Sequence, residues 1–529
     1  MEKKLNYSTT PQTMKSTSEK PIAIEYFAIN RENILSYLMK FATVLRSHTY
    51  LLLLGTISEL IYLFYLLRDF PLASYSQKLT DMGGITGFSH QGFLTFIIAF
   101  SFLFVIFGLA WWEARRYQDR ATLWIILSFG AIFAFTTIFV YPINAQDLFY
   151  YFARSLVMVQ HGANPMVTPP SQFPKDPLMQ LAGWVINWPS AYGPLAQLIH
   201  ALPVLIAGRN VLASLLLFKL IFSAMLIVEA FFIYKILSHI APKLALSGAL
   251  ALAWNPFALL EYSANSHNDI AMTLLITLAV FALVKERHIW AVTFITASVL
   301  IKFASLVIIP LFFIYSFRQQ PTKKARLTYT TKAIIVFLSV MIDSYALFWA
   351  GLQTFQRSFT QVQIYLNSFS VLLVDFCSPG ISYDHAKMIG WALFGACFLY
   401  ALWLSSRDFL SMLKACAITM FTLLAFGTTF VQPWYFIWPF ALSILIPQTE
   451  VSLASFLLLY AVTLVELVHA YIVPWGAYNN PNASIIVNSS AYLTMFFPPM
   501  LFLLVSRFRH IFSQPPPSLE DDFFDPLSP

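Results

Sequence analysis

Apolar runs of roughly 15–25 residues recur along the chain, separated by short polar stretches; this is the length that crosses a hydrocarbon core of about 30 Å. Fourteen are recognised, near 49–67, 91–111, 122–140, 210–234, 244–262, 269–284, 288–302, 303–317, 330–352, 388–404, 412–428, 433–447, 451–471 and 488–506. The halves of 288–317 are each short, so this stretch reads either as a bent hairpin or as one broken span. Ahead of the first run, residues 1–22 are polar and read as a disordered tail. Residues 23–47 mix apolar positions with Arg31, Lys40 and Arg46, the pattern of an amphipathic helix on a membrane surface. The chain closes on the acidic, Pro-rich SQPPPSLEDDFFDPLSP, a second disordered tail. The pattern predicts an all-α polytopic membrane protein: a cytoplasmic segment 1–48, a transmembrane domain 49–506 and a cytoplasmic tail 507–529.

Composition agrees: 58% of residues are hydrophobic and 11% charged, where a soluble protein carries about a quarter charged. The net charge of +7 reports orientation and anionic lipid in such a chain, not nucleic acid. With the N-terminus inside, inner segments hold 23 of the 32 Lys and Arg residues, and the even number of spans returns the C-terminus inside. Long outer loops are then expected at 141–209, 353–387 and 472–487. Cys377, Cys397 and Cys416 form no metal spacing. No short apolar run with a small-residue cleavage site opens the chain, so no signal peptide is expected. No repeat of fixed period is evident.

Polar residues gather at the outer ends of these runs. The stretch YPINAQDLFYYFARSLVMVQHGANP places Asp147 at the water end of a span and at the start of a short helix. Asp147 and Arg154 are seven apart, two turns along one face, with Tyr150 and Tyr151 between. A carboxylate beside a cation at the depth of lipid phosphate suits removal of a hydroxyl proton; an interfacial helix with a dipole-favoured Asp and anchoring Tyr fits the same pattern. A Gly- and Pro-rich loop follows, in which Trp184, Trp188 and Tyr192 offer flat faces to a sugar or to the interface. NSHNDIAM sets Asn265, His267, Asn268 and Asp269 between two apolar runs, with Glu261 just before. Ionisable groups at membrane depth are costly and mark function, although Asp269 also suits a helix cap. Lys302 interrupts SVLIKFASLVIIP and needs a phosphate, a carboxylate or the interface. Gln432, Trp434 and Tyr435 fall at the Pro-broken turn FVQPWYFIW, which also fits an aromatic belt. Arg357 and Lys387, with Asp384 and His385 beside the latter, add charge on the outer side. One His and one Asp make a weak metal signature, and no metal or other cofactor is expected. Lys219 and Glu229, ten apart within one span, have no assigned role.

In order, QDLFYYF, HGANP, YGPL, SHNDIAM, KFASLVIIP and QPWYFIW resemble the polyprenol-phosphate-mannose-dependent alpha-1,6-mannosyltransferases, integral membrane glycosyltransferases of the GT-C class. The resemblance covers about residues 140–440; it departs at Met166, where the family usually carries an aromatic residue. It implies a GT-C-like fold of about 13–14 transmembrane helices and an inverting transfer of a sugar, mannose, from a polyprenyl phosphate to a hydroxyl of a glycan or glycolipid on the extracytoplasmic face. The family's acidic residue in the first large outer loop maps to Asp147, the expected base. Arg154, Lys302, Arg357, Lys387 and His267 are expected around the donor phosphate; Tyr151, Trp188, Tyr192, Asn268, Asp269, Gln432, Trp434 and Tyr435 around sugar or acceptor. Two rivals remain: a transporter or flippase of a lipid-linked glycan, and a GT-C enzyme using another sugar.

Overall fold

The computed structural model describes residues 48–377, 380–476 and 483–513. The chain divides into Met1–Thr49, of which only His48 and Thr49 are described, and one unit from Tyr50 onward. The tail and amphipathic helix expected within 1–47, and the tail from 514 on, lie outside the described residues.

Helices form this unit, and among the described residues there is no β-strand. In chain order they are α1 (Thr49–Ile61), α2 (His90–Ala114), α3 (Arg120–Thr137), α4 (Asp147–Val159), α5 (Pro194–Ala207), α6 (Val211–Ile240), α7 (Ala245–Ala253), α8 (Asp269–Val284), α9 (His288–Val299), α10 (Ile309–Arg318), α11 (Lys323–Ala346), α12 (Gln353–Gln361), α13 (Phe369–Cys377), α14 (Tyr383–Ser405), α15 (Phe409–Thr422), α16 (Ile437–Ser443), α17 (Thr449–Leu467) and α18 (Ala483–Ser513). Starts follow local chemistry: Asp119, Asn210, Thr322 and Asp408 each cap a helix by accepting a backbone N–H, the role of short polar side chains at this position.

Ten helical stretches among the described residues are long and apolar enough to cross a membrane, and four shorter ones, Pro194–Ala207, Asp269–Val284, His288–Val299 and Phe303–Arg318, are also apolar. The chain is an all-α polytopic membrane protein. Three details differ from the periodicity. The run 433–447 becomes one turn, Pro433–Phe436, and the short α16, because two prolines break it. Pro194–Ala207, expected as loop, is helical with Pro194 in its first turn, where proline is tolerated. The last helix continues to Ser513, into the stretch assigned to the tail.

The ambiguous stretch 288–317 is a hairpin. His288 Nδ1 lies 3.1 Å from Ser316 Oγ, so its two ends meet. At its tip Lys302 is extended (φ −149°, ψ 130°). Gly193 docks on this tip: the Gly193 and Leu195 amides donate to the Ile301 and Leu300 carbonyls at 3.1 Å each. A Cβ on Gly193 would stand 2.3 Å from the Leu300 oxygen, so only glycine permits the approach.

Polar contacts tie the interior together. Ser263 accepts from Thr137 Oγ1 at 2.8 Å and lies 2.6 Å from Ser223 Oγ, joining α3, α6 and the turn after α7. Glu229 of α6 accepts from Thr273 and Thr277 of α8 at 2.9 and 2.8 Å. In a membrane such bonds contribute about 0.6–2 kcal/mol each. Lys219 of α6 is fully buried, and its ammonium donates to the Val140 carbonyl at 2.8 Å and to that of Ala264. It thereby staples the segment leading into Asp147 to the segment leading into His267. Lys219→Met strands two buried carbonyls at about 1–3 kcal/mol each. The expected outcome is a lower midpoint of thermal unfolding in detergent; an unchanged midpoint would mean that the staple is dispensable.

Candidate active site

Two chain segments build the floor of the site. The first runs from Val140 to Asp147. Backbone bonds fix it: the Tyr141 amide donates to Phe70 at 2.7 Å, and the Met82 amide to Ile143 at 2.8 Å. Asp147 then opens α4, an acidic residue in a first turn, favoured by the helix dipole. α4 is not the surface helix that its amphipathic pattern also allowed. Leu148 to Val157 are all buried, so Tyr150 and Tyr151 are packed side chains rather than interfacial anchors.

The second segment is the turn between α7 and α8. Its chain passes through a π-helical turn, Leu259–Ala264, and then through Ser266 in the left-handed region (φ 64°). Such strain in a buried serine persists where the surroundings over-determine it. Glu261, Asn265, His267, Asn268 and Asp269 are all buried. The His267 ring stacks on Trp434, with centroids 3.9 Å apart and planes 11° from parallel. Its Nδ1 lies 3.4 Å from Asp147 and its Nε2 lies 3.3 Å from Glu261. Asn265 donates to the same Glu261 carboxylate at 3.0 Å. Burial alone would lower the imidazole's pKa, but Asp147 and Glu261 outweigh it and raise it above the ordinary value. The two carboxylates approach opposite ring nitrogens, so they share no centre for a metal. Among the described residues no group of three or more His, Cys, Asp or Glu side chains could hold one.

Asp269 is occupied on another side. It accepts from Lys302 Nζ at 2.8 Å and from Trp438 Nε1 at 2.6 Å. The Lys302 ammonium also stands 4.3 Å from the Tyr435 ring centre, with Trp438 at 5.4 Å and Tyr192 at 5.6 Å, so a partly desolvated cation is held in an aromatic cage. The hairpin tip is thereby fixed against α8 and the QPWY turn.

Above this floor opens a cavity of about 740 Å³, within the range that holds a ligand. Asp147, Arg154, Lys302, Arg357, Trp188, Tyr192, Gln432, Trp434 and Tyr435 all line it. Arg154 donates to the Trp188 carbonyl at 3.3 Å, while its buried Nε–H has no partner. The Arg357 guanidinium lies 4.0 Å over the Trp188 ring. Burial lowers the pKa of both guanidinium groups, and the nearby Arg154 lowers that of Arg357 further. Two guanidinium groups with no ion-pair partner among the described residues, and an ammonium shared between Asp269 and an aromatic cage, line this cavity and offer positive charge to an anion. The loop above is clasped shut: Asp176 accepts from both Arg209 Nη groups at 2.8 and 2.7 Å and contacts His161 at 3.0 Å. Arg209 and then His161 hold the Asp176 carboxyl well below the usual carboxylate range.

Residues 52–318, half of the chain, match the model of the family described as alpha-(1->6)-mannopyranosyltransferase, N-terminal domain. The chain belongs to this family. It is similar to alpha-(1->6)-mannopyranosyltransferase A of Mycobacterium tuberculosis, with 22% identity over 369 residues, 65% of this chain and 68% of that protein. It is also similar to the protein of the same name from Corynebacterium glutamicum, with 23% identity over 173 residues, 33% of this chain and 35% of that protein. In this mannosyltransferase chain the family match contains the Asp147 and His267 segments and Lys302, whereas Arg357 and the QPWY turn come from the chain beyond it.

Four residues singled out from the sequence stand behind the cavity wall. Tyr151 stacks on His200 at 4.2 Å, and Asn268 Nδ2 lies 3.3 Å from His200 Nε2. His267 and Asp269 act on wall residues, as described. Lys387 stands apart: it donates to Asp384 at 2.8 Å and does not line the cavity, reaching it only through the Trp391 ring at 5.6 Å. Sequence reasoning missed Asp81, Glu466 and Trp438, which line the cavity, and His200. Glu466 and His200 lie in apolar helices, where an isolated polar residue is the only available signal. Removing one partner of a buried ion pair costs about 3–5 kcal/mol. Asp269→Asn is therefore expected to lower the thermal midpoint and release Lys302; a variant as stable as wild type would show that the pair does not hold the hairpin tip.

Proposed function

We propose that the chain transfers a mannosyl group from a polyprenyl phosphate to a hydroxyl of a glycan or glycolipid acceptor, with inversion, on the extracytoplasmic face of the membrane. The observation that carries the reading is that Asp147, Arg154, Arg357 and Lys302 line one cavity together. Asp147 accepts the proton of the acceptor hydroxyl as its oxygen attacks the anomeric carbon. The bond from that carbon to the phosphate oxygen breaks, and the phosphate leaves with the electron pair. Cations already in place stabilise the charge that grows there. Trp188, Tyr192, Trp434 and Tyr435 flank the sugar. The apolar flank of Val362, Ile364, Leu423 and Phe430 suits the first isoprene units. The excess of Lys and Arg in the opposite connections supports the sidedness.

His267 and Glu261 do not reach the acceptor. They fix the carboxylate's orientation, the charged imidazole lying 3.4 Å from it. Lys219, which kept a transporter reading open, is engaged by two backbone carbonyls, which supports a structural role for it rather than a place on a translocation path.

Asp147→Asn is expected to lower transfer from a polyprenyl-phosphate mannose donor by about 10²–10⁴-fold, the usual worth of a general base, and, because it takes one carboxylate from the buried His267, to lower the thermal midpoint while the protein still folds. Full activity in that variant would remove Asp147 from the reaction. His267 carries its charge fully below the ordinary histidine range and loses it as pH rises through its raised pKa. The expected wild-type pH–rate profile therefore has an alkaline limb that His267→Gln abolishes, at a lower plateau; an identical profile in the variant would refute the coupling to Asp147.

A further inference from the structure

A second cavity of about 470 Å³ adjoins the first and shares Trp188, Arg357 and Ile364 with it. The Arg357 guanidinium, stacked on the Trp188 ring, is the partition between them. One wall is Met166, Val167 and Pro189. The other is α12, which contributes Gln353, Gln356, Arg357 and Thr360, with Gln363 just beyond its end. Those four positions are spaced i, i+3, i+4 and i+7, one stripe of a helix.

The stripe is held in a fixed direction. On the inner side of α12, Thr354 is buried and its hydroxyl accepts from the Ala350 amide at 2.9 Å. Phe355 packs on Tyr345 at 5.2 Å and Phe303 at 6.1 Å. The facing wall is anchored in the same place: Asn164 donates to the Phe348 carbonyl at 2.7 Å, and Met166 packs with Leu300, Tyr345 and Phe348. A small apolar cluster thus supports both sides of the groove.

The groove's chemistry is specific. Gln353, Gln356 and Gln363 are exposed, and among the described residues no hydrogen bond engages their carboxamides. Each carboxamide offers two donors and a two-lone-pair acceptor without charge. Arg357 is the only charged side chain lining the groove among the described residues, and it is shared with the catalytic cavity. An isoprenoid chain would leave three amides unmet, and a polyanion would find one cation. A neutral polyol satisfies all of them.

We propose that this groove is a second carbohydrate subsite, which binds sugar units of the acceptor beyond the one that carries the attacking hydroxyl. The inference rests on the transferase reading above. It makes the enzyme selective for oligomeric neutral glycans over short acceptors, because a longer chain crosses the Arg357–Trp188 partition and meets the glutamines.

The test uses purified full-length protein, α-1,6-linked mannose di-, tetra- and hexasaccharides, and the variant Q353A/Q356A/Q363A. Saccharide binding is measured by tryptophan fluorescence without donor, and transfer with radiolabelled polyprenyl-phosphate mannose. In wild type, Kd is expected to fall as the saccharide lengthens. In the variant the gain from length is lost, the hexasaccharide KM rises about tenfold, and kcat and the disaccharide KM stay unchanged. Wild-type affinity that is independent of length, or a variant that loses all three saccharides equally or none, overturns the subsite. Length-dependent binding lost in the variant, together with no transfer by wild type from the lipid donor, leaves the subsite standing and refutes the transferase reading instead.

Discussion

The structure turns on how an ionic cluster is held at one end of an apolar bundle. Charge removed from water must be paired, and the pairing here is cross-chain: Asp147 and Glu261 meet on one imidazole, and Asp269 meets Lys302. Glu261 and His267 share one turn, but Asp147 and Lys302 come from other segments, so their pairs form only when α4, α8 and the α9–α10 hairpin are packed. The surrounding scaffold serves this end. The Lys219 staple, the Ser223–Ser263–Thr137 contacts and the close approach of Gly193 to Leu300 set the segments at the required spacing.

A division of labour results. The face open to the cavity keeps unspent capacity, in the partnerless Nε–H of Arg154 and the Arg357 guanidinium over Trp188. The layer behind it holds its charges in close pairs, although Glu261 Oε1, Asn265 Oδ1, Asn268 Oδ1 and Asp269 Oδ2 are buried without a hydrogen-bond partner, and it acts by orientation. His267 belongs to that second layer despite its chemistry: it is fully buried, with Trp434 covering one ring face and carboxylates at both nitrogens, and it does not line the cavity. A carboxylate and guanidinium groups lining one cavity suit a reaction that removes a proton and builds anionic charge within the same site.

Much of this was legible in the sequence, for identifiable reasons. Spans are legible because bilayer thickness fixes their length. Asp147, the NSHND turn, Lys302 and the QPWY turn are legible because polar residues interrupt apolar runs. The local pattern of α4 was ambiguous, since its amphipathic moment fits a membrane surface and a protein interior alike; only its neighbours decide. Glu261 was noticed, but its pairing with Asp147 through His267 was not readable, because a π-helical turn and the positive φ of Ser266 set its direction. Lys387 is charged and stands at the start of α14 in the same region, yet Asp384, one turn before it, claims it. The sequence separation between Arg357 and Trp188 hid the partition that joins the two cavities.

The most direct measurement is a structure of the protein in a lipid nanodisc with a polyprenyl-phosphonate mannose analogue that resists transfer. The account predicts phosphonate density within hydrogen-bonding distance of Arg154 and Arg357, with the anomeric carbon facing Asp147. Density for the head group at the opposite end of the bundle, in the basic groove of Arg287, Lys324 and Lys332, would contradict it.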